Sequence, residues 1–402
     1  MRRTRKRSIG SSSRAASAPG KRRARRCTKY ARRCASTTSG SSARPELPRL
    51  YVLVLSGGAG TRLWPRSRRD RPKQFLDLIA DRTLLQDTVD RVREIVPVER
   101  IFVVAPPAHR PLIHEQLPEL ATDHVVVEPY PRGNAAAVGL AMAALAAFDP
   151  EAVVAVLPSD HVVERRAQFR KVLLAATAAA ERGHLVTLGI APTAPDTGFG
   201  YIEAGERLDI EAPVEVRLVK RFIEKPKREA AEKMVADGGH FWNAGMFVWR
   251  VEEVIKAYEQ HLPATAKAIG AIREAIGSPR YESVLAEVWE ETDRTTLDYG
   301  IAEKASNVAV VPADIGWHDV GSWARLAAVV SGTENWSSGD LLAEDANGNY
   351  VWAPGKLTAL IGVEDLVVVD TPDALLISPK GRSEEVKTIV DRLKREDRED
   401  LL

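Results

Sequence analysis

Leu55–Phe75 reads L-S-G-G-A-G-T-R-L-W-P-R-S-R-R-D-R-P-K-Q-F. A short β-type run, Tyr51–Leu55, leads straight into Ser56, Gly57, Gly58, Ala59, Gly60, Thr61 and Arg62. Glycines at 57, 58 and 60 let the backbone take positive φ, approach a ligand closely and turn its N–H groups to an anion. Cationic Arg62, Arg66, Arg68, Arg69, Arg71 and Lys73 follow, and Pro65 and Pro72 keep the stretch from forming one continuous helix. The pattern predicts a polyphosphate site: backbone donors wrap the ligand and side-chain cations neutralise it.

Two common phosphate loops are excluded. The P-loop ends in Gly-Lys-Ser/Thr, whereas this loop runs from Gly60 into Thr61-Arg62. The dinucleotide fingerprint needs a third glycine where Leu63 stands. A tight strand-to-helix turn with a solvated basic face is the plainer alternative. The conjunction of both features directly after a buried strand favours the ligand.

The string G-G-A-G-T-R-L-W-P-R-S-R, followed by P-K-Q-F at 72–75, resembles the signature of sugar-1-phosphate nucleotidyltransferases. Trp64-Pro65 and Pro72–Phe75 are similar to its mannose-1-phosphate guanylyltransferase branch, and the resemblance continues in patches from about residue 50 to residue 380.

The chain has 402 residues, 45% of them hydrophobic, enough for a large core and more than one domain. Its net charge of +2 hides an asymmetry. Fifteen of the 57 basic residues and none of the 55 acidic ones fall in residues 1–45, so the remainder is net acidic by 13. An acidic body argues against nucleic acid as a partner and makes the basic loop a local device. Residues 1–48, rich in Arg, Ser and Ala, are expected to be a disordered, dispensable tail, consistent with an overlong start-site assignment. Deleting residues 1–46 is therefore expected to leave activity and melting temperature unchanged; a large fall in melting temperature would show that the tail packs on the body. Cys27 and Cys34, the only cysteines, lie in this tail, which fits a cytoplasmic protein. No apolar run approaches the roughly 20 residues of a membrane span.

Strand-like runs at Ile101–Ala105, His124–Val127, Glu151–Leu157, Leu185–Ile190, Val216–Ile223 and Val308–Pro312 alternate with helical spacing at Thr83–Val96, His109–Leu117 and 134–148. This predicts an α/β fold, a Rossmann-like, doubly wound, mostly parallel sheet, over residues 49–330. Ligands then bind at the carboxyl ends of the strands, where Gly57–Arg62 and Asp160 fall. Residues 336–402 change to short strands and a final helix, Ser383–Lys394, and read as a small β cap domain with Asn347-Gly348 as a hairpin signal. Within the resemblance this cap is a rudimentary β-helix.

The resemblance also implies roles. Ser56, Gly57, Gly58, Gly60, Thr61 and Asn134 bind the nucleotide, although Asn134 reads equally well as a helix N-cap. Arg62 and Lys73 neutralise the departing pyrophosphate. Asp160, in L-P-S-D-H, and Asp319, in G-W-H-D-V-G-S-W, are the family's metal ligands for Mg²⁺. Neither has an obvious cationic partner nearby in sequence, and a divalent cation shared with phosphates would offset their burial. His161 reads as a packing or hydrogen-bonding residue. In F-I-E-K-P, Glu224 accepts sugar hydroxyls and Lys225 meets the 1-phosphate; Gly198 and Asn243 complete the sugar subsite. The implied substrates are GTP and mannose 1-phosphate, with another sugar or base (GDP-heptose, GDP-glucose, dTDP-glucose) or a non-catalytic nucleotide-sugar sensor as rivals. No membrane partner is expected, and a homodimer is left open.

Overall fold

The computed structural model of the chain describes residues 49–402 apart from Ala59 and residues 331–333. The basic segment and its two cysteines lie outside the described residues, as does the expectation that it is disordered.

Leu50–Val54 is buried on both faces, which is why it reads as an unbroken apolar run rather than an alternating one. This strand, β1 (Leu50–Leu55), pairs in parallel with β2 (Ile101–Ala105), and β2 with β3 (Val125–Val127). On its other side β1 pairs in parallel with β4 (Val153–Pro158). The chain thus leaves β1 in one direction for β2 and β3 and returns to its opposite flank for β4. The carboxyl ends of β1 and β4 form the switch point at which open α/β sheets bind ligands.

After β4 comes the short β5 (His161–Val163), outside the main sheet. The main sheet continues with β6 (Leu185–Ile190), β7 (Tyr201–Arg207), β8 (Arg217–Ile223), β9 (His240–Arg250) and β10 (Val308–Pro312). Among the described residues its order is β3-β2-β1-β4-β9-β6-β10-β8-β7. β9 runs antiparallel to β4, β6 and β7, so the second half is mixed. Two apolar cores cover the sheet, one around Phe75, Val89 and Phe169, the other around the Ala-rich helix Asn134–Phe148 and helix Pro263–Ala275. The fold is doubly wound.

The helix expected over Thr83–Val96 is α-helical only from Leu84 to Asp90, where Thr83 and Gln86 close a reciprocal capping box. Turns complete the segment, and Leu85, Val89, Val92 and Val96 are all buried.

The strand β11 (Trp317–Asp319) pairs antiparallel with β5, setting Asp319 opposite His161. Beyond it come β12 (Trp336–Ser337), β13 (Asp340–Glu344), β14 (Tyr350–Trp352), β15 (Leu357–Ile361), β16 (Leu366–Asp370) and β17 (Leu375–Pro379). The hairpin expected at Asn347-Gly348 does not form. β13 pairs in parallel with β15, and β14 in parallel with β12 and β16, as successive coils stack. The glycine turns the chain between sheets instead of back along its own strand, and Asn349 ties the coils together by bonding Asn335, Val363 and Leu366. The antiparallel β17 ends the stack and leads into the terminal helix Val386–Arg395.

Candidate active site

At the switch point Gly60 takes a left-handed conformation (φ 58°), and a Cβ there would lie 2.8 Å from the Lys73 side chain and from Ser67 Oγ. Glycine is therefore required both by the turn and by the lysine packed beneath it. Ser56 is fully buried; its carbonyl is held by Gln74 Nε2 (3.3 Å) and by the ring of His109 (3.0 Å). P-K-Q-F thus braces the loop from below. A cavity of about 520 Å³ opens beside Gly58 and Thr61, walled by Pro106, Pro131 and, from the terminal helix, Val390 and Lys394.

The sequence reading turns the whole basic arm toward a polyphosphate. The structure divides it. Arg66 pairs with Asp77 (2.6 Å) and stacks over Trp352; Arg68 pairs with Asp373 (2.9 Å) and Arg69 with Glu399 (2.6 Å). Trp64 Nε1 donates to the Leu401 carbonyl (2.7 Å), and Trp323 Nε1 donates to the Trp64 carbonyl (2.8 Å). The arm is chiefly the seat of the C-terminal coils and helix, whose acids a local reading does not connect to it. Arg62, half exposed, meets Glu384 (2.7 Å) at the loop's edge.

Lys73 turns inward, its Nζ 2.6 Å from Asp160 Oδ2. Burial would lower the ammonium's pKa, but Asp160 and Asp319 outweigh burial and hold it above the ordinary lysine value. The same pairing, with His161, outweighs the desolvation that would raise Asp160 and holds its carboxyl below the usual range. Asp319 pairs with Arg325 (3.3 Å), which also reaches Asp196 (3.0 Å) and lies over Phe199. The expectation that neither aspartate has a cationic partner nearby in sequence is therefore corrected for Asp319, while the partner of Asp160 comes from far away. Lys73 arrives from a distant part of the chain, whereas Arg325 lies only six residues beyond Asp319, on the helix that follows it.

Both carboxylates converge. His161 Nε2 lies 3.9 Å from Asp160 Oδ1 and 4.0 Å from Asp319 Oδ1. Among the described residues no group of three or more His, Cys, Asp or Glu side chains is placed to hold a metal alone. Two convergent hard-oxygen donors beside the glycine loop nonetheless suit a cation such as Mg²⁺, which takes one or two carboxylates and completes its shell with phosphate and water.

A second cluster lies across β7, β8 and β9. Glu224 is nearly buried, with Oε2 unpartnered and Oε1 3.1 Å from Lys225 Nζ. A Cβ on Gly200 would overlap Glu224 Oε2, so Gly200 rather than Gly198 makes the close approach. Burial, reinforced by Asp298, raises the Glu224 pKa despite Lys225. Asn243 is already engaged: Oδ1 accepts from Thr187 (3.0 Å) and Gly245 N (3.1 Å), and Nδ2 donates to Asp298 Oδ1 (2.6 Å). Gly198 N donates to Asp196 (2.7 Å) in a turn tied through Arg325 to Asp319.

Asn134 sits apart from both clusters. It is the first residue of its helix, not the cap; Gly133 (φ 94°) holds the cap position, where any Cβ would strike the Thr295 carbonyl. Asn134 Oδ1 accepts from Leu297 N (2.8 Å), bracing the segment that carries Asp298. Asp298 and Arg325 were missed from sequence. An acid in the run Leu297–Ala302, buried apart from Tyr299, was the one available signal. Glu128 is also buried beside Gly57, and burial raises its pKa.

The comparisons agree with this arrangement. The family pattern described as "Nucleotidyl transferase" matches residues 51–335, and that described as "MannoseP isomerase/GMP-like beta-helix domain" matches residues 339–393. The chain is 38% identical over 360 residues to the Escherichia coli K12 mannose-1-phosphate guanylyltransferase, covering 87% of this chain and 74% of that one. It is 37% identical over 346 residues to the Pseudomonas aeruginosa alginate biosynthesis protein AlgA, covering 85% and 71%. A crystal structure described as mannose-1-phosphate geranyltransferase from Thermus thermophilus superposes with a TM-score of 0.78 at 34% identity, covering 86% of this chain and all of that one. No helix among the described residues is long and apolar enough to cross a membrane. With the glycine loop, paired aspartates and Glu-Lys strand end in place, the chain belongs to the nucleotidyl transferase family.

Proposed function

We propose that the chain transfers GMP from GTP to α-D-mannose 1-phosphate, forming GDP-mannose and pyrophosphate. A phosphate oxygen of the sugar phosphate attacks the α-phosphorus, the α–β anhydride bond breaks, and its electron pair leaves with pyrophosphate. The nucleophile is already ionised, so positioning and charge neutralisation carry the catalysis and no general base is needed. The observation that carries the reading is the pairing of a phosphate-loop cluster (Gly60, Lys73, Asp160, Asp319) with a separate Glu224–Lys225 cluster at the end of β8.

Ser56, Gly57, Gly58, Gly60 and Thr61 line the nucleotide side, with Arg62 free to turn from the solvent-exposed Glu384 to a phosphate. Asp160 and Asp319 would hold Mg²⁺, which supplies charge neutralisation at the phosphates when bound. Lys73 keeps Asp160 ionised and would neutralise the departing pyrophosphate. Glu224 Oε2, buried and unpartnered, is an acceptor awaiting a hydroxyl donor. Asn243 holds Asp298 next to it, and Gly198 orients the turn behind Asp319.

A coupled pyrophosphate-release assay with GTP or dTTP against mannose or glucose 1-phosphate tests the reading. GTP with mannose 1-phosphate should give the highest kcat/KM; preference for dTTP or glucose 1-phosphate would reject it. Lys225→Ala tests the second cluster. Loss of a hydrogen bond to a charged group costs about 1.5–3 kcal/mol, so kcat/KM for the sugar phosphate should fall roughly 10- to 100-fold with GTP binding nearly intact. Selective loss of GTP binding would place Lys225 at the other substrate.

A further inference from the structure

β5 and β11 form a two-stranded antiparallel pair whose register sets Asp319 directly opposite His161, the residue after Asp160. The imidazole therefore faces both carboxylates at once. Its Nδ1 lies 3.2 Å from Trp317 Nε1 and the two rings meet edge to face at 5.3 Å. An indole nitrogen can only donate, so Nδ1 must be the acceptor and carries no proton. The proton is on Nε2, the atom between the aspartates. Trp317 is itself fixed by Phe199, which packs on Trp242, so the ring is held by an aromatic row running toward the Glu224 cluster. Gly245 flanks the ring on the remaining side, where a Cβ would come within 4.0 Å of His161 Cε1.

We propose that His161 is a positioning residue: its Nε2–H, with the tautomer set by Trp317, donates to Asp160 and Asp319 and holds their cation-binding oxygens together, and it is not itself a metal ligand. The proposal rests on the reading of those aspartates as the cation's carboxylates. A nitrogen that carries a proton has no lone pair for a metal, so this tautomer excludes ligation. It supplies instead what a pair of like charges needs, a shared neutral donor that orients both without adding positive charge to compete with the cation. At 3.9 and 4.0 Å the approaches are longer than hydrogen bonds. Such contacts commonly tighten when the reacting complex assembles. Sequence alone cannot show this, because Trp317 and His161 are brought together only by the β5–β11 pair.

The test follows Mn²⁺–GTP binding by electron paramagnetic resonance, titrating the full chain, together with ¹⁵N spectra of its histidines. His161→Phe keeps the ring and removes the donor, and should weaken Mn²⁺–GTP binding about 10- to 100-fold, the range for residues that orient metal ligands. His161→Gln restores an N–H and should return most of that loss. The wild-type spectrum should show a bare Nδ1 and a protonated Nε2 at His161, unchanged when Cd²⁺–GTP is added. Undiminished binding by His161→Phe, equal loss in His161→Gln, or a ¹¹³Cd–¹⁵N coupling at His161 would overturn the proposal. If His161→Phe does not fold, Trp317→Phe replaces it: loss of the single-tautomer signal supports the proposal, and an unchanged signal overturns it. Asp160→Asn and Asp319→Asn both binding Mn²⁺–GTP like wild type would refute the carboxylate reading itself, a separate result from retained binding in His161→Phe alone.

Discussion

Asp160→Asn and Asp319→Asn are each expected to lower turnover by about two to three orders of magnitude, the scale for removing one preorganised electrostatic group from a transition state. The two should differ in stability. Lys73 is largely buried and, among the described residues, loses its only carboxylate partner at hydrogen-bonding distance in Asp160→Asn. Asp319 and the Val320 carbonyl (3.4 Å) then compensate the charge only in part, and losing one partner of a buried pair costs up to about 3–5 kcal/mol, so this variant should melt below the wild type. Arg325 retains Asp196 and is about a third exposed, so Asp319→Asn should melt close to wild type. Adding Lys73→Met to Asp160→Asn should recover melting temperature without recovering turnover. The double aspartate variant should be little slower than either single one, because groups that act as a unit are non-additive. Near-full Mg²⁺-dependent turnover in either variant removes that residue from the site, and multiplicative losses in the double would mean two independent roles.

Truncation after Glu385 is the second change expected to have a large effect, although it removes no residue assigned to the chemistry. The terminal helix buries Val386 and Val390 in one cluster with Leu63, Trp64 and Trp323. Each fully buried side chain of this kind contributes about 1.5–3 kcal/mol. The truncation also removes the Leu401 carbonyl that holds Trp64 and the Glu399 carboxylate that holds Arg69. It opens the cavity beside Gly58 and Thr61, whose wall includes Val390 and Lys394. The expected result is at least a tenfold rise in KM for GTP, consistent with about 1.4 kcal/mol per factor of ten. New tryptic cleavage within Arg66–Arg71 should accompany it as the arm loosens. Unchanged KM with no new cleavage would show that the helix is a passive cover.

Local chemistry determined much of this protein before any contact was known. Three glycines after an apolar strand dictate a backbone loop open to an anion. Continuous apolar runs at Leu50–Leu55, Ile101–Ala105 and Val153–Pro158 dictate strands buried on both faces, and their alternation with helical segments dictates a doubly wound sheet. Those patterns depend on neighbours within a few residues, and the sequence contains them in full. Tertiary structure decided what each charge meets. The arginines after Gly60 looked like one phosphate-binding arm, yet Arg66, Arg68 and Arg69 face Asp77, Asp373 and Glu399, while Lys73 alone among them reaches Asp160. Asn347-Gly348 carried a hairpin signal, but parallel pairing of the stacked coils overrode it. The Asn243–Asp298 bond, the Arg325–Asp196 pair and the Trp317–His161 contact were invisible because each joins segments far apart in the chain. An ion pair or a tautomer is set by distances of a few ångströms, and only the folded sheet brings those groups that close.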